Sequence, residues 1–368
     1  MQRNHELQAM IPSVADQRPF VAARVGRFER LPKWLNLVPM IAQWVWLGIR
    51  YRSITLPSSA NPRITAGGLV GEGKLEYFGI MGPVARAATA DYIGVHVGSE
   101  TTTAHVMQAM ANAGLRFPIV VKPDLGWCGY GVNKISDPLA LTSYLAAFPS
   151  GQTLVLQRYL PERGEAGLFY VRHPDDAVGS LIGVLLRHYP RVVGNGHDTL
   201  ATLIAADLRL SRLTSSALHR TAHDPEQVPA LGETVRLSTI ASTRVGGHYE
   251  DATDAVTPAL LSRVDAIARD MQDFHVGRFD VRYTTLDALR NGEFTIMEVN
   301  GAGSEAVHAW DPRYSIFDVY RIVFAKQRLL FRIANAQRRA GHRPIGLLAL
   351  ARLHLGQQRL MKHYPPSN

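Results

Sequence analysis

Glu298 and Asn300 stand two positions apart at the end of an apolar run, FTIMEVNGAG at 294–303. Side chains alternate across a strand, which predicts Ile296, Glu298 and Asn300 on one face and Thr295, Met297 and Val299 on the other. A carboxylate is costly to bury unless it is paired or coordinates a cation. Beside an amide oxygen it suits a hard cation such as Mg²⁺. Gly301 and Gly303 then let the chain turn close to a ligand. A second strand, VGRFDVRY at 276–283, aligns Arg278, Asp280 and Arg282 on one face. The connection TTLDALRNGE carries Asn291-Gly292 as a turn, so the two strands read as an antiparallel hairpin. That pairing sets Asp280 near Glu298 and Asn300. Two acids and an amide could hold a metal, with arginines close enough to neutralise a polyanion, and nucleotide phosphate is the natural candidate. The bland alternative is a solvated edge strand and a surface Arg–Asp ladder.

Two more segments precede the hairpin. In FPIVVKPDLGWCGYGV, 117–132, an apolar strand delivers Lys122, and Gly126, Gly129 and Gly131 follow in a loop. Glycines let backbone N–H groups approach phosphate oxygens, and a lysine at the strand end supplies a point charge. In TLVLQRYLPERGEAGLFYV, 153–171, a polar break separates two strands. Gln157, Tyr159 and Leu160 form a hinge whose backbone could meet a flat base, and Glu165 could accept from ribose hydroxyls. Each of these also reads as a plain loop residue.

Taken in order, lysine strand, glycine loop, Asp280, then Glu298-x-Asn300, the set resembles the ATP-grasp superfamily, in particular the D-alanine–D-alanine ligase and carboxylate–amine ligase branch. The likeness covers roughly residues 115–325, and GRFDV followed by MEVN is its most specific part. The resemblance implies an α+β fold in which two α+β subdomains clamp ATP. It implies that Lys122 and the loop glycines contact phosphates, that Gln157, Tyr159 and Leu160 hold adenine, and that Glu165 meets ribose. By the same likeness Asp280, Glu298 and Asn300 hold Mg²⁺, and Arg278 stabilises a tetrahedral intermediate. Arg244 meets the γ-phosphate or the substrate carboxylate; Arg187 follows an apolar run in the same region. The implied activity is ATP- and Mg²⁺-dependent joining of a small-molecule carboxylate to an amine through an acylphosphate. Positioning and charge neutralisation do most of that work, and no protein nucleophile is required.

One departure stands out. Such ligases carry an earlier phosphate lysine, yet VGSETTTAHVMQAMANAG at 97–114 has none. That stretch predicts a helix with Met107, Met110 and Ala111 at helical spacing and Gly114 at its end. Lys74 could substitute. It lies in GLVGEGKL, 68–75, one residue short of a Walker A loop, with Leu75 where Ser or Thr would hold the metal. Gly67, Gly68 and Glu72 faintly resemble the early Gly-Gly-x-x-x-Glu of D-alanine ligases, whose glutamate meets the substrate amine.

The elements that must position these groups are readable in outline. TPALLSRVDAIARDMQDFH, 257–275, predicts an amphipathic helix before the Asp280 strand, with Leu260, Leu261, Val264, Ile267, Ala268 and Met271 on one face. His248 and His275 read as structural. A helical N-terminal flank over 1–60, a small region over 61–115, an ATP-grasp unit over 116–325 and a basic helical tail over 326–368 are expected. The 368 residues are 46% hydrophobic, enough for two or three subdomains. One cysteine, Cys128, excludes an internal disulfide and points to a reducing, cytoplasmic setting. Fourteen histidines form no H-E-x-x-H pattern, which argues against zinc.

The net charge of +9 lies wholly in the flanks: residues 1–63 carry nine Lys/Arg against three acids, and residues 326–368 carry nine against none. WLNLVPMIAQWVWLGIRYR, 34–52, has three tryptophans and basic ends, but its apolar core is short for a transmembrane helix and lies too far inside the chain for a standard signal peptide. Basic amphipathic helices can lie on anionic membranes. A second reading is therefore a membrane-surface nucleotide-binding protein, on the cytoplasmic face, whose ATP-grasp unit no longer ligates. Nucleic acid is disfavoured, since no stacking platform or helix-turn-helix signal accompanies the charge.

Overall fold

In a computed structural model of the protein, residues 25–127, 129–212, 223–238, 241, 243 and 246–367 are described. Cys128 and Arg244 lie outside them. A single helical turn, Arg27–Arg30, precedes helix α1 (Lys33–Arg50), which carries Pro39 inside it. Two 3₁₀ turns follow, Leu56–Ser59 and Thr65–Gly68, before the short helices α2 (Lys74–Gly79) and α3 (Pro83–Ala87). The Walker-like segment is thus entered from a 3₁₀ turn rather than a strand, which rules out a P-loop.

A four-stranded antiparallel sheet comes next, in the order β1-β4-β2-β3. It comprises β1 (Tyr92–Val97), β2 (Ile119–Pro123), β3 (Asn133–Ile135) and β4 (Gln152–Arg158), with α4 (Thr103–Asn112) and α5 (Pro138–Ala147) between them. Thr102 and Asp137 cap the two helices, Pro138 takes the first turn of α5, and Gly114 turns left-handed at φ 71° after α4. The buried face of α4 is Val106 and Met110, one position off the expected stripe; Met107 is exposed. These pack with Leu141, Tyr144 and the apolar strand residues into one core.

The second sheet has five antiparallel strands in the order β11-β10-β5-β6-β9. They are β5 (Gly164–Val171), β6 (Ser180–His188), β9 (His248–Asp251), β10 (Val276–Tyr283) and β11 (Thr295–Asn300). A small ribbon, β7 (Arg191–Val193) with β8 (Thr234–Arg236), and helix α6 (Leu200–Ala206) are inserted between β6 and β9. Helix α7 (Pro258–Arg269), capped by Thr257, buries Leu260, Val264, Ile267 and Ala268 against the sheet's apolar face, with Leu261 half-buried. The expected hairpin turn is a short helix, α8 (Leu286–Arg290), which ends at Asn291 and left-handed Gly292.

The fold is α+β. Its first sheet begins at Tyr92, upstream of the boundary expected at 116, and helix α9 (Ile316–Arg339) runs unbroken through 325/326. Helix α10 (Leu347–Met361) follows. Trp44 of α1 meets Phe331 of α9 edge-on at 5.1 Å, and Gln43 donates to the Phe324 carbonyl at 2.9 Å, so the two helices run side by side.

Asn61 ties this helical layer to the sheet. Fully buried, its Nδ2 donates to the carbonyls of Gly67 (3.0 Å) and Val276 (2.8 Å). Its Oδ1 accepts from the backbone N–H of His275 (2.8 Å) and Val276 (3.1 Å). Replacement by alanine removes a partner from four buried backbone groups, of which the Gly67 carbonyl keeps the Ala302 N–H; each group left unmade costs about 1–3 kcal/mol unless water enters. Asn61→Ala is expected to lower unfolding free energy by roughly 2–4 kcal/mol in urea titrations; a loss under 1 kcal/mol would show that the pin is dispensable.

Candidate functional site

Strand register builds the site. Asp280 lies opposite Glu298, and Arg278 opposite Asn300, across β10 and β11. On the other side of β10, Arg282 faces Glu165 and Asp280 faces Gly167 of β5. Glu165, Arg187, Arg278, Asp280, Arg282, Glu298 and Asn300 therefore share the polar face of the sheet, while Phe279, Val281, Val184 and Leu168 fill the core behind it. Ile296 departs from the alternation. A bulge between Asp280 and Val281 pairs Val281 with Ile296, which sinks fully into the core and leaves Met297 as the extra residue of β11.

That extra residue joins the two sheets. Lys122 of β2, only 5% exposed, donates to the Met297 carbonyl at 2.9 Å and to Gln157 Oε1 at 2.8 Å. Burial pulls its ammonium down to about 8, opposed by the nearby Glu298 charge. Lys74, at the start of α2, reaches the same place: its Nζ is 3.4 Å from Glu298 Oε1 and 3.4 Å from the Asp124 carbonyl. Lys74 thus pairs with Glu298 at the mouth of the glycine loop, and Lys122, held on the neighbouring Met297 carbonyl, lies close enough to feel the same charge.

The centre of the face is a charge network. Arg187 Nη1 donates to Glu165 Oε1 at 2.9 Å, and its Nη2 donates to Asp280 Oδ1 at 3.1 Å. Arg278 grips Asp280 with Nε at 2.6 Å and Nη2 at 2.8 Å. Gly167 makes room, because a Cβ there would meet Arg278 Cδ at 3.0 Å. Asn300 Nδ2 donates to Asp280 Oδ2 at 3.1 Å. Tyr189 donates to Glu165 Oε2 at 2.5 Å, with Arg282 Nη2 3.4 Å from the same oxygen. Burial alone would raise both carboxyls. The Arg187 and Arg282 charges, with the Tyr189 hydrogen bond, hold Glu165 below its usual range; Arg187 and Arg278 do the same for Asp280.

The other expected residues fall as follows. Gly126, Gly129 and Gly131 form the loop after β2, the last two at positive φ. Their carbonyls are held from elsewhere: Gln357 donates to Gly126, Ser367 to Gly129 and Tyr144 to Gly131, while Tyr364 donates to Leu125. Gln157 is buried, Tyr159 lies under the Lys134 ammonium at 4.3 Å, and Leu160 is buried where β4 ends. His275 is buried with its charged form disfavoured, and His248 stacks on His188.

Arg187 is the central residue that the motifs underrated. Its signal was positional, since an arginine closing the apolar strand β6 faces whatever its neighbours present. The bracing of the glycine loop by residues 357–367 carried no local signal. Glu72 was noticed but not its state: burial raises it to about 7, and its Oε2 is a buried atom without a hydrogen-bond partner.

No known family profile matches the chain. In sequence it is 25% identical over 211 residues to cyanophycin synthetase of Trichormus variabilis and to that of a Nostoc species, covering 52% of this chain and 22% of each relative. The chain thus spans about a fifth of the length of these curated relatives. Among solved structures it is similar to a bifunctional glutathione synthetase from Pasteurella multocida (TM-score 0.39, 18% identity, 72% of this chain and 38% of that one). It is also similar to D-alanine–D-alanine ligase from Bacillus anthracis (0.40, 15%, 74% and 69%) and to an N5-carboxyaminoimidazole ribonucleotide synthetase (0.35, 13%, 67% and 48%).

Two stability predictions follow from the charges. Arg187→Ala leaves Glu165 and Asp280 buried with less compensation and is expected to cost about 3–5 kcal/mol in urea unfolding. Glu72, held protonated in the folded state, costs no stability below pH 4.5; the cost grows as pH rises toward 7 and then stays. Glu72→Gln should therefore match the wild type at pH 4.5 and exceed it by up to about 3 kcal/mol at pH 8. Equal stability at both pH values would disprove the raised pKa.

Proposed function

We propose that this chain is an ATP-grasp ligase that activates a carboxylate with ATP and passes it to an amine. The observation carrying the proposal is the junction of the two sheets. Lys74 pairs there with Glu298 and Lys122 binds the carbonyl of the preceding residue, with Asn300 farther along the same strand and Asp280 on the next. A polyphosphate laid against this junction meets two ammonium groups and the N–H groups of the glycine loop. The sequence likeness to cyanophycin synthetases supports the same reading.

The donor set fits Mg²⁺ in part. The Glu298 side chain is 32% exposed and turns one oxygen toward Lys74. Asn300 spends its amide nitrogen on Asp280, leaving its oxygen for a cation. Asp280 is the exception: both its oxygens already accept from Arg187, Arg278 and Asn300. Among the described residues no three His, Cys, Asp or Glu side chains are grouped to hold a metal alone. Glu298 and Asn300 would hold the ion together with phosphate oxygens, and Asp280 would join once Arg278 turns away. Bound there, Mg²⁺ would neutralise phosphate charge. Lys122 and Lys74 would hold the phosphates in line with a carboxylate, and Arg278, released from Asp280, would face the oxyanion as the amine attacks. Glu165 is saturated by Arg187, Arg282 and Tyr189, so contact with ribose requires it to give up one of them.

In the test, purified protein is given ATP, Mg²⁺ and pooled acids and amines, and products are read by mass spectrometry. Release of ADP and phosphate with a new amide is expected. Glu298→Ala should cut that turnover at least 100-fold while circular dichroism stays unchanged. Wild-type turnover in Glu298→Ala would remove the metal assignment. Nucleotide binding without turnover under every substrate pool would favour the non-ligating alternative.

A further inference from the structure

Helix α1 presents an apolar face that nothing in the described chain covers. Trp34, Val38, Ile41, Val45 and Ile49 recur every three or four residues along α1, with Trp46 beside them. Trp34 is 68% exposed, Trp46 54% and Ile49 73%. The opposite side of α1, through Asn36, Trp44 and Leu47, is spent on packing. Eighteen residues make this stripe about 27 Å long, beyond the scattered apolar exposure of an ordinary surface.

Charge identifies what it fits. No Asp or Glu occurs between Leu31 and Gly71. Alongside runs α9, whose exposed Arg321, Arg328, Arg332 and Arg339 recur on the side opposite its buried Leu330, Ile333 and Gln337. The acid at the start of that helix, Asp318, pairs with Arg321 at 3.3 Å. At the end of α1, Arg50 lies 5.8 Å from the centre of the Trp46 ring. A tryptophan stands near each end of the stripe, exposed Arg30, Arg50 and Arg52 bracket it, the arginines of α9 add positive charge on the side away from it, and carboxylates are missing from α1. No helix among the described residues is long and apolar enough to cross a membrane.

We propose that α1 lies in the interface of an anionic lipid bilayer, its apolar face among the acyl chains and the arginines at its two ends on the headgroup phosphates. This surface is separate from the sheet junction, so the proposal stands whether or not the protein ligates.

Vesicle flotation of the full chain tests it, using phosphatidylcholine alone and with phosphatidylglycerol. The protein should float with the anionic vesicles, about tenfold more strongly than with neutral ones, with a blue shift of tryptophan emission and weakening in high salt. The triple variant Trp34→Ser, Ile41→Ser, Ile49→Ser should lose flotation at unchanged melting temperature. Arg50→Glu with Arg52→Glu should lose the preference for anionic lipid. Absence of flotation, or flotation equal in the triple variant, overturns the proposal. So does a dimer in light scattering that becomes monomeric in that variant, since a second copy would then be the occupant.

Discussion

One guanidinium holds the polar face together. Arg187 bridges Glu165 on β5 and Asp280 on β10 while itself belonging to β6, so three neighbouring strands share a single buried cation. It shares with Arg282 and Tyr189 the task of keeping Glu165 ionised and with Arg278 that of keeping Asp280 ionised, and the two carboxylates in turn offset the burial of its own charge. The arrangement is self-consistent only when the register of all three strands is right. A slip of one residue would turn every member of the network into the apolar core. The charges therefore act as a check on strand alignment as well as an electrostatic platform.

The same network sets what the site can do next. Arg278 and Asn300 are committed to Asp280 in this arrangement, leaving Glu298 and the two lysines as the more available groups. Any cation or phosphate entering must trade against existing ion pairs rather than fill a vacant pocket. That makes the polar face a set of exchangeable partners. Its charge is nearly balanced before a ligand arrives, which limits the cost of leaving it exposed between ligands.

Much of this was legible in the residues because alternation is a strong rule. Arg278, Asp280 and Arg282 fall on one face as the period of two demands, and antiparallel pairing brings Glu298 and Asn300 beside them. Alternation failed at Ile296, where a bulge intervenes; one extra residue is invisible until the partner strand is known. The choice between Arg244 and Arg187 could not be made from the sequence. Both arginines sit in the right stretch, Arg244 lies outside the described residues, and only the neighbours of β6 reveal what Arg187 faces. Lys74 was suggested by the gap at 97–114 but placed only by tertiary contact, across fifty residues from Asp124. The basic flanks read as helices from their period, yet their exposed apolar face depends on what α9 leaves uncovered.

The loop after β2 receives Gln357, Tyr364 and Ser367 on its carbonyls, from more than 200 positions downstream. Those braces are side chains, so exchanging any of them frees a loop carbonyl without touching the loop's own residues. The shape of the loop is thereby open to tuning from a distance, by substitutions that leave Lys122 and the glycines unaltered.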